Sequence, residues 1–100
     1  MDALEKLLGK GIQTVTGADA TAVKTNYAAY ALRVLVGDTQ ITSITENVEG
    51  VLEVNTTESW MNKSRPFGNY IPLRYPITSI TLNEASDEVD LYLMAAPPVL

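Results

Sequence analysis

Acidic side chains cluster near the C-terminal end of the sequence, where carboxylates could bind a cation or act as an acid–base pair. Glu84, Asp87, Glu88 and Asp90 fall within one short stretch. A calcium loop needs six to eight oxygen ligands and a central glycine, and this stretch has no glycine. A paired-carboxylate hydrolase needs two acids held about 5–10 Å apart across a cleft. The spacing instead predicts a solvated turn, with Glu88 and Asp90 on the outer face of the strand that follows.

The composition removes most other catalytic chemistry. The sequence contains no cysteine and no histidine, so it lacks a thiol nucleophile, thiolate metal ligands and the commonest general base. Serine and threonine have no histidine to activate them, and no phosphate-binding pattern follows Gly9 or Gly11. We therefore expect a protein that is not an enzyme, with no cofactor and no metal.

The polar loop at residues 55–69 carries the residue types that are enriched where proteins bind proteins. It holds the only tryptophan and the only phenylalanine of the chain, and such side chains combine a large contact area with a polar or planar group. An alternative is that Trp60 or Phe67 closes the open end of the domain as part of its core. The predicted protein-contact residues of this region are Trp60, Met61, Arg65, Phe67 and Tyr70.

The charge balance argues against nucleic acid and membrane partners. Seven Lys and Arg residues face 12 Asp and Glu residues, for a net charge of −5, which disfavours duplex DNA and anionic bilayers. No apolar run approaches the roughly 18–20 residues that span a bilayer, and the N-terminus lacks the basic start of a signal peptide. We expect the partners to be proteins.

The first part of the chain has a helical pattern. One hundred residues make one domain, or a domain with an arm, and residues 1–28 are predicted to form an N-terminal helix and arm. A helix this short is not stable alone in water, so its apolar face is predicted to contact the rest of the domain or a neighbour through Leu4, Leu7 and Leu8. The apolar residues spaced as on one helical face are Leu4, Leu7, Leu8, Ile12 and Val15.

Residues 29–94 alternate with a period of two, which is typical of β-strands. Pro72 confines one of these strands to a sheet edge or an irregular course. We predict a mainly β domain, a small antiparallel β-sandwich or barrel of about six short strands with an N-terminal helical arm. The tail at 95–100 holds two prolines and is predicted to be extended, either frayed or laid on a neighbour. The predicted strands cover residues 30–36, 41–45, 51–54, 70–75, 77–82 and 89–93.

A short motif occurs twice. Residues 41–47 and 77–83 match at six of seven positions with an offset of 36, and each copy precedes a turn and another predicted strand. This pattern predicts two equivalent hairpins related by an approximate two-fold axis. The alternative is two unrelated strands that are both rich in isoleucine and threonine.

Residues 30–45, 68–82 and 89–93 together resemble a group of small structural proteins of tailed bacteriophages. Arg33, Val34 and Leu35 lead through a turn into the first Ile/Thr/Ser strand, and a turn containing glycine and proline precedes the second. The resemblance covers roughly residues 30–94. It implies a virion component present in many copies, with no catalytic residues.

The resemblance leads to a specific functional expectation. We expect a capsid decoration or cement subunit that binds the major capsid protein and sister copies, as a homo-oligomer within the virion, after synthesis in the bacterial cytoplasm. One alternative is a head–tail connector or tail subunit that forms a ring. Another is a soluble ligand-binding β-domain with Trp60, Phe67 and Tyr70 in its pocket.

Overall fold

The structure, a computed structural model, describes residues 11–17 and 22–100. In this part of the chain six antiparallel strands belong to one sheet. The mainly β prediction is confirmed, but the sheet is single and open, so the strands form neither two facing sheets nor a closed barrel. The strands are β1 (Ile12–Thr16), β2 (Tyr27–Val34), β3 (Ile41–Val48), β4 (Val51–Asn55), β5 (Tyr70–Leu82) and β6 (Glu88–Ala95).

The strand order is β1-β6-β2-β5-β3-β4, which places β5 in the interior of the sheet between β2 and β3. The prediction that Pro72 confines its strand to an edge is therefore wrong. The predicted irregular course is present. Ala31 pairs with Pro72 and Ala29 pairs with Ile77, so the single residue between the two alanines in β2 stands opposite the four residues 73–76 of β5. Prolines cannot donate a ladder hydrogen bond, and Pro72 and Pro76 lie at the two ends of this interruption.

The buried apolar side chains of the sheet form one hydrophobic core, which Val23 and Met61 join from the connecting segments. The alternation predicted for the last strand, with Val89, Leu91 and Leu93 inward, is confirmed. The most deeply buried apolar residues include Val15, Leu32, Val34, Ile41, Ile44, Ile77, Ile80, Val89 and Leu91.

Ile12 and Val15 lie in β1, an edge strand that pairs with β6. Their spacing of three predicted a helix, and for these two residues the prediction is wrong. Bonds to the following segment help to hold the strand: Gln13 Nε2 donates to the carbonyl oxygen of Ala22 at 3.0 Å, and Gln13 Oε1 accepts from the N–H of Lys24 at 2.7 Å. The remaining residues of the predicted helical face lie outside the described residues: Leu4, Leu7 and Leu8.

The two copies of the repeated motif pair with each other as neighbouring antiparallel strands. Ile44 of β3 stands opposite Ile80 of β5, and these are equivalent positions of the repeat. Next to them, Ser79 Oγ donates to Thr45 Oγ1 at 2.8 Å. The predicted two-fold relation is therefore present locally, between two paired strands.

Only the first copy continues into a hairpin. Glu49 and Gly50 join β3 to β4 with φ angles of 52° and 92°, the left-handed values that a type I′ turn requires. The second copy, in β5, is separated from β6 by β2. The prediction of two equivalent hairpins is wrong, because β6 finds its apolar partners on β1 and β2.

The C-terminal tail lies on its own domain. Asn47 Nδ2 donates to the carbonyl oxygens of Pro97 and Pro98 at 3.3 and 3.4 Å. The N–H of Leu100 donates to the carbonyl oxygen of Gly50 at 2.9 Å. The tail is extended as predicted, but it reaches the β3–β4 turn of the same chain, so the expectation of a frayed tail or one laid on a neighbour is corrected.

Gly17 is a position where a single methyl group should disturb the sheet. Its N–H donates to the carbonyl oxygen of Asp87 at 2.9 Å, and a β-carbon placed on Gly17 would overlap the carbonyl oxygen of Glu84. Because the obstacle is backbone, we expect Gly17→Ala to lower the free energy of unfolding by about 2 kcal/mol, measured by urea denaturation.

Gly37 provides the matched control. A β-carbon there meets no atom within 4 Å, so Gly37→Ala should change stability by less than about 1 kcal/mol. Equal effects of the two substitutions would show that the contact between Gly17 and the turn before β6 does not constrain the fold.

Candidate protein-contact site

The loop between β4 and β5 divides its predicted contact residues between the core and the surface. Met61 is only 3% exposed and belongs to the core, so the prediction of a direct contact through its side chain is wrong. Trp60 is half-buried and packs against that core. The loop is held in place because the N–H of Asn62 donates to the carbonyl oxygen of Ile41 at 2.9 Å.

Arg65 is held mainly through its backbone. Its N–H donates to the carbonyl oxygen of Thr39 at 2.9 Å, and its carbonyl oxygen accepts from the N–H of Asp38 at 3.0 Å. The side chain is half-buried, and its Nε is enclosed without a hydrogen-bond partner. Arg65 therefore joins the loop to the segment before β3, and the contact role predicted for it stays a prediction.

Phe67 and Tyr70 lie at the surface, as a contact role requires. Phe67 is 74% exposed and Tyr70 is 48% exposed. The rings of Tyr70 and Tyr92 have centroids 5.8 Å apart, and Tyr92 also approaches Tyr30 at 6.3 Å. We call Tyr30, Tyr70 and Tyr92 the tyrosine cluster. Of these three residues, the sequence analysis named only Tyr70 as a contact residue. Tyr30 and Tyr92 are far apart in sequence, and only the strand order β6–β2–β5 brings them together.

The largest apolar exposure on a strand was missed by the sequence analysis. Val51, Leu52 and Val54 of β4 are 51, 46 and 71% exposed, and β4 is an edge strand of the described sheet. We call these three residues the β4 edge. Edge strands are usually protected by charged side chains, proline or a bulge; β4 has one charged residue, Glu53, and contains no lysine or proline. The run of three apolar residues in four was the signal that could have revealed it.

The backbone of β4 adds to this surface. Val48 and Val51 flank the two-residue turn, and in such hairpins the flanking pair is hydrogen-bonded. The hydrogen-bonded positions then alternate along the strand, so Leu52 and Val54 direct their N–H and C=O groups away from β3. The β4 edge therefore offers both apolar side chains and free main-chain groups to an added strand.

A cavity of about 330 Å³ lies beside Trp60. The predicted ligand pocket of Trp60, Phe67 and Tyr70 is corrected here, because the latter two do not line this cavity. Asn55 Nδ2 donates to Oε1 of both Glu46 and Glu58, at 3.1 and 3.0 Å. We call it the Trp60 cavity, and its lining residues are Ile44, Glu46, Glu58, Trp60, Pro72, Leu73 and Arg74.

The acidic turn before β6 has a structural role. Asp87 is 4% exposed, and its Oδ2 accepts from the N–H groups of Glu84 and Gln40 at 3.0 and 3.3 Å. The predicted solvated turn is therefore wrong for Asp87, which binds backbone groups. Thr14 Oγ1 donates to Asp90 at 2.6 Å. Within residues 11–17 and 22–100, no three acidic, histidine or cysteine side chains are grouped as metal ligands.

Comparisons with known proteins assign no family to this chain: no family model, no curated protein and no solved structure matches it. In the part of the chain that the structure describes, no helix is long and apolar enough to cross a membrane. The function is therefore inferred from the surface features above, namely the β4 edge, the tyrosine cluster and the Trp60 cavity.

Proposed function

We propose that this chain is a non-enzymatic structural subunit of a tailed-bacteriophage virion, a decoration or cement subunit on the capsid. Its partners in this proposal are the major capsid protein and sister copies of the chain. The resemblance of residues 30–94 to small phage structural proteins supports the virion as its location. That segment contains all of β3 to β6 except the last residue of β6, and most of β2.

The observation that carries the proposal is the β4 edge. Both faces of β4 are exposed, so among the residues that the structure describes none covers its apolar side chains or its outward main-chain groups. A strand supplied by another protein would pair with those groups and cover Val51, Leu52 and Val54 at the same time. The feature supports a protein whose role is contact with other proteins.

Binding of this kind is additive over many copies. Burial of apolar surface contributes about 25 cal/mol per Å², so a contact that covers about 400 Å² of apolar area contributes roughly 10 kcal/mol before the entropy of association is subtracted. Subunits that bridge neighbouring capsid proteins gain further through multivalency. A shell decorated in this way resists internal pressure.

The helical arm predicted at the N-terminus belongs to the same proposal. It precedes β1, which is the edge of the sheet opposite β4. Since a short helix needs a surface to cover its apolar face, Leu4, Leu7 and Leu8 contact the rest of the domain or a neighbouring subunit in this proposal.

The open sheet favours a second candidate, a head–tail connector or tail subunit. β1 and β4 are the two outermost strands of the described sheet, and Ile12 on β1 is 57% exposed. Pairing of β4 with β1 of the next copy is a head-to-tail contact, which closes into a ring when the rotation between copies allows it.

Light scattering and co-sedimentation test the two candidates. The 10.9 kDa chain is measured alone and then with shells assembled from the major capsid protein of the proposed virion. A small oligomer or monomer that joins the shell in a fixed ratio is the result expected for a decoration subunit. A stable ring formed without any shell would favour the connector. A monomer that does not bind the shell would overturn both candidate functions.

A further inference from the structure

We propose that the Trp60 cavity binds the guanidinium group of an arginine side chain presented by a contacting protein. The preference for a guanidinium group follows from the residues that line the cavity. Only the source of the arginine, the major capsid protein, rests on the proposed function. The inference names the kind of side chain that a partner must place here.

A buried carboxylate without a cation is the first reason. Glu46 is only 6% exposed and lines the cavity. Its Oε1 accepts a hydrogen bond from Asn55 Nδ2 at 3.1 Å, and within the described residues no lysine or arginine forms an ion pair with this carboxylate. Burial of a charge is unfavourable unless the charge is paired and hydrogen-bonded. A cation in the cavity would supply the missing partner.

The neighbouring charges do not supply it. Glu58 also lines the cavity, and its carboxylate already accepts from Arg74 Nη2 at 3.0 and 3.3 Å and from Asn55 Nδ2 at 3.0 Å. Two carboxylates therefore face one guanidinium, and the cavity keeps a net charge of −1. The excess negative charge favours a positively charged guest.

The walls favour a flat cation on an apolar stem. The indole of Trp60 is the best aromatic face for a cation, and Ile44 and Leu73 provide apolar surface. Arginine combines a planar fork that matches a carboxylate with a long apolar stem. A volume of about 330 Å³ lies at the small end of ligand sites and accommodates one arginine side chain.

The site is formed before any guest arrives. Trp60 is followed by Met61 in the core and by Asn62, whose N–H is bonded to β3. Glu46 is held within β3, between β4 and β5. A preorganised site loses little conformational entropy on binding, so a single blocked amino acid is a suitable probe.

The fluorescence of Trp60, the only tryptophan, reports directly on the cavity. The purified chain is titrated with N-acetyl-arginine amide and, as a matched neutral probe, with N-acetyl-citrulline amide, which replaces the guanidinium by a urea group of the same shape. We expect a saturable change with the arginine probe and none with the citrulline probe. Equal responses, or no response to either, would overturn the proposal.

Substitutions then locate the charge that binds. Glu46→Gln keeps an acceptor for Asn55 and removes the charge, and should weaken binding about tenfold. Arg74→Gln alters an exposed side chain and releases Glu58, so it should tighten binding by about two- to fivefold. Glu84→Gln is the matched control, an exposed carboxylate outside the cavity, and should leave binding unchanged. Binding by Glu46→Gln at the wild-type level would overturn the assignment.

A competition experiment tests the guanidinium site and the proposed virion function separately. If a capsid protein provides the arginine, the blocked arginine should reduce co-sedimentation of the chain with shells, and Glu46→Gln should do the same. Saturable binding of the probe by a chain that never joins shells would overturn the virion role and leave the guanidinium site intact. Shell binding that is insensitive to both the probe and Glu46→Gln would overturn the partner arginine.

Discussion

Replacing Ile80 by alanine should lower the free energy of unfolding by about 3 kcal/mol. Ile80 is fully buried and stands opposite Ile44, which is 1% exposed, where the two copies of the repeat meet. Alanine would remove buried carbon atoms and leave a cavity between β3 and β5 that the surrounding ladder cannot close. Urea denaturation followed by the fluorescence of Trp60 measures the change.

An isoleucine outside the core provides the control. Ile12 is 57% exposed on β1, so Ile12→Ala should cost less than about 1 kcal/mol. Ile44 and Ile80 are in register, so the double substitution Ile44→Ala and Ile80→Ala should differ from the sum of the single losses by about 0.5 kcal/mol or more. Strict additivity would argue against direct packing between the two copies.

Introducing lysine on the β4 edge should weaken binding to capsid shells by about 100-fold without unfolding the chain. Leu52→Lys and Val54→Lys each place a charge where a partner strand would cover the residue, and lysine is a common protection against strand addition. Both side chains are exposed, so stability should change by less than about 0.5 kcal/mol. Co-sedimentation gives the binding loss and denaturation gives the stability.

Thr81→Lys is the matched control for this experiment. Thr81 is exposed on β5, and its substitution adds the same charge on a strand that β3 separates from β4. It should bind shells as the unmodified chain does. Equal losses for Thr81→Lys and Val54→Lys would indicate a general effect of net charge, and normal binding by Val54→Lys would move the contact to another surface.

Most strands could be predicted from the sequence because alternation depends on local residues alone. The last strand is the clearest case, since Val89, Leu91 and Leu93 point inward as expected. β1 could not be predicted, because Ile12 and Val15 fit a helical spacing and the strand depends on pairing with β6 and on the bonds of Gln13 to distant backbone. Tertiary contacts decide the structure of such short segments.

The order of the strands in the sheet could not be predicted from the sequence, for a related reason. The sequence contains two copies of one motif, each before a turn. This pattern is compatible with two separate hairpins and equally with one antiparallel pair formed by the two copies. The difference depends on where β2 is inserted, since β2 lies between β5 and β6. That choice is made by packing between residues that are remote in sequence.

The candidate site was predictable in part. The aromatic loop was recognised, yet residue type alone could not distinguish Met61, which is buried, from Phe67, which is exposed. The Trp60 cavity was missed, although Glu46 follows the inward Ile44 by two residues and alternation places it on the same face. The burial of Glu46 becomes evident only when the loop and β5 enclose it.

The connectivity of the sheet also determines how the chain must fold. β3 and β4 are the one pair of described strands adjacent both in sequence and in the sheet, so their hairpin closes the smallest loop and should form earliest. Every other pairing joins distant segments, and Val15 meets Val89 only across most of the chain. Proteins dominated by such contacts fold in milliseconds to seconds. We expect β1 and β6 to pair last, so that an incompletely folded molecule exposes the edge of β6 with which β1 later pairs.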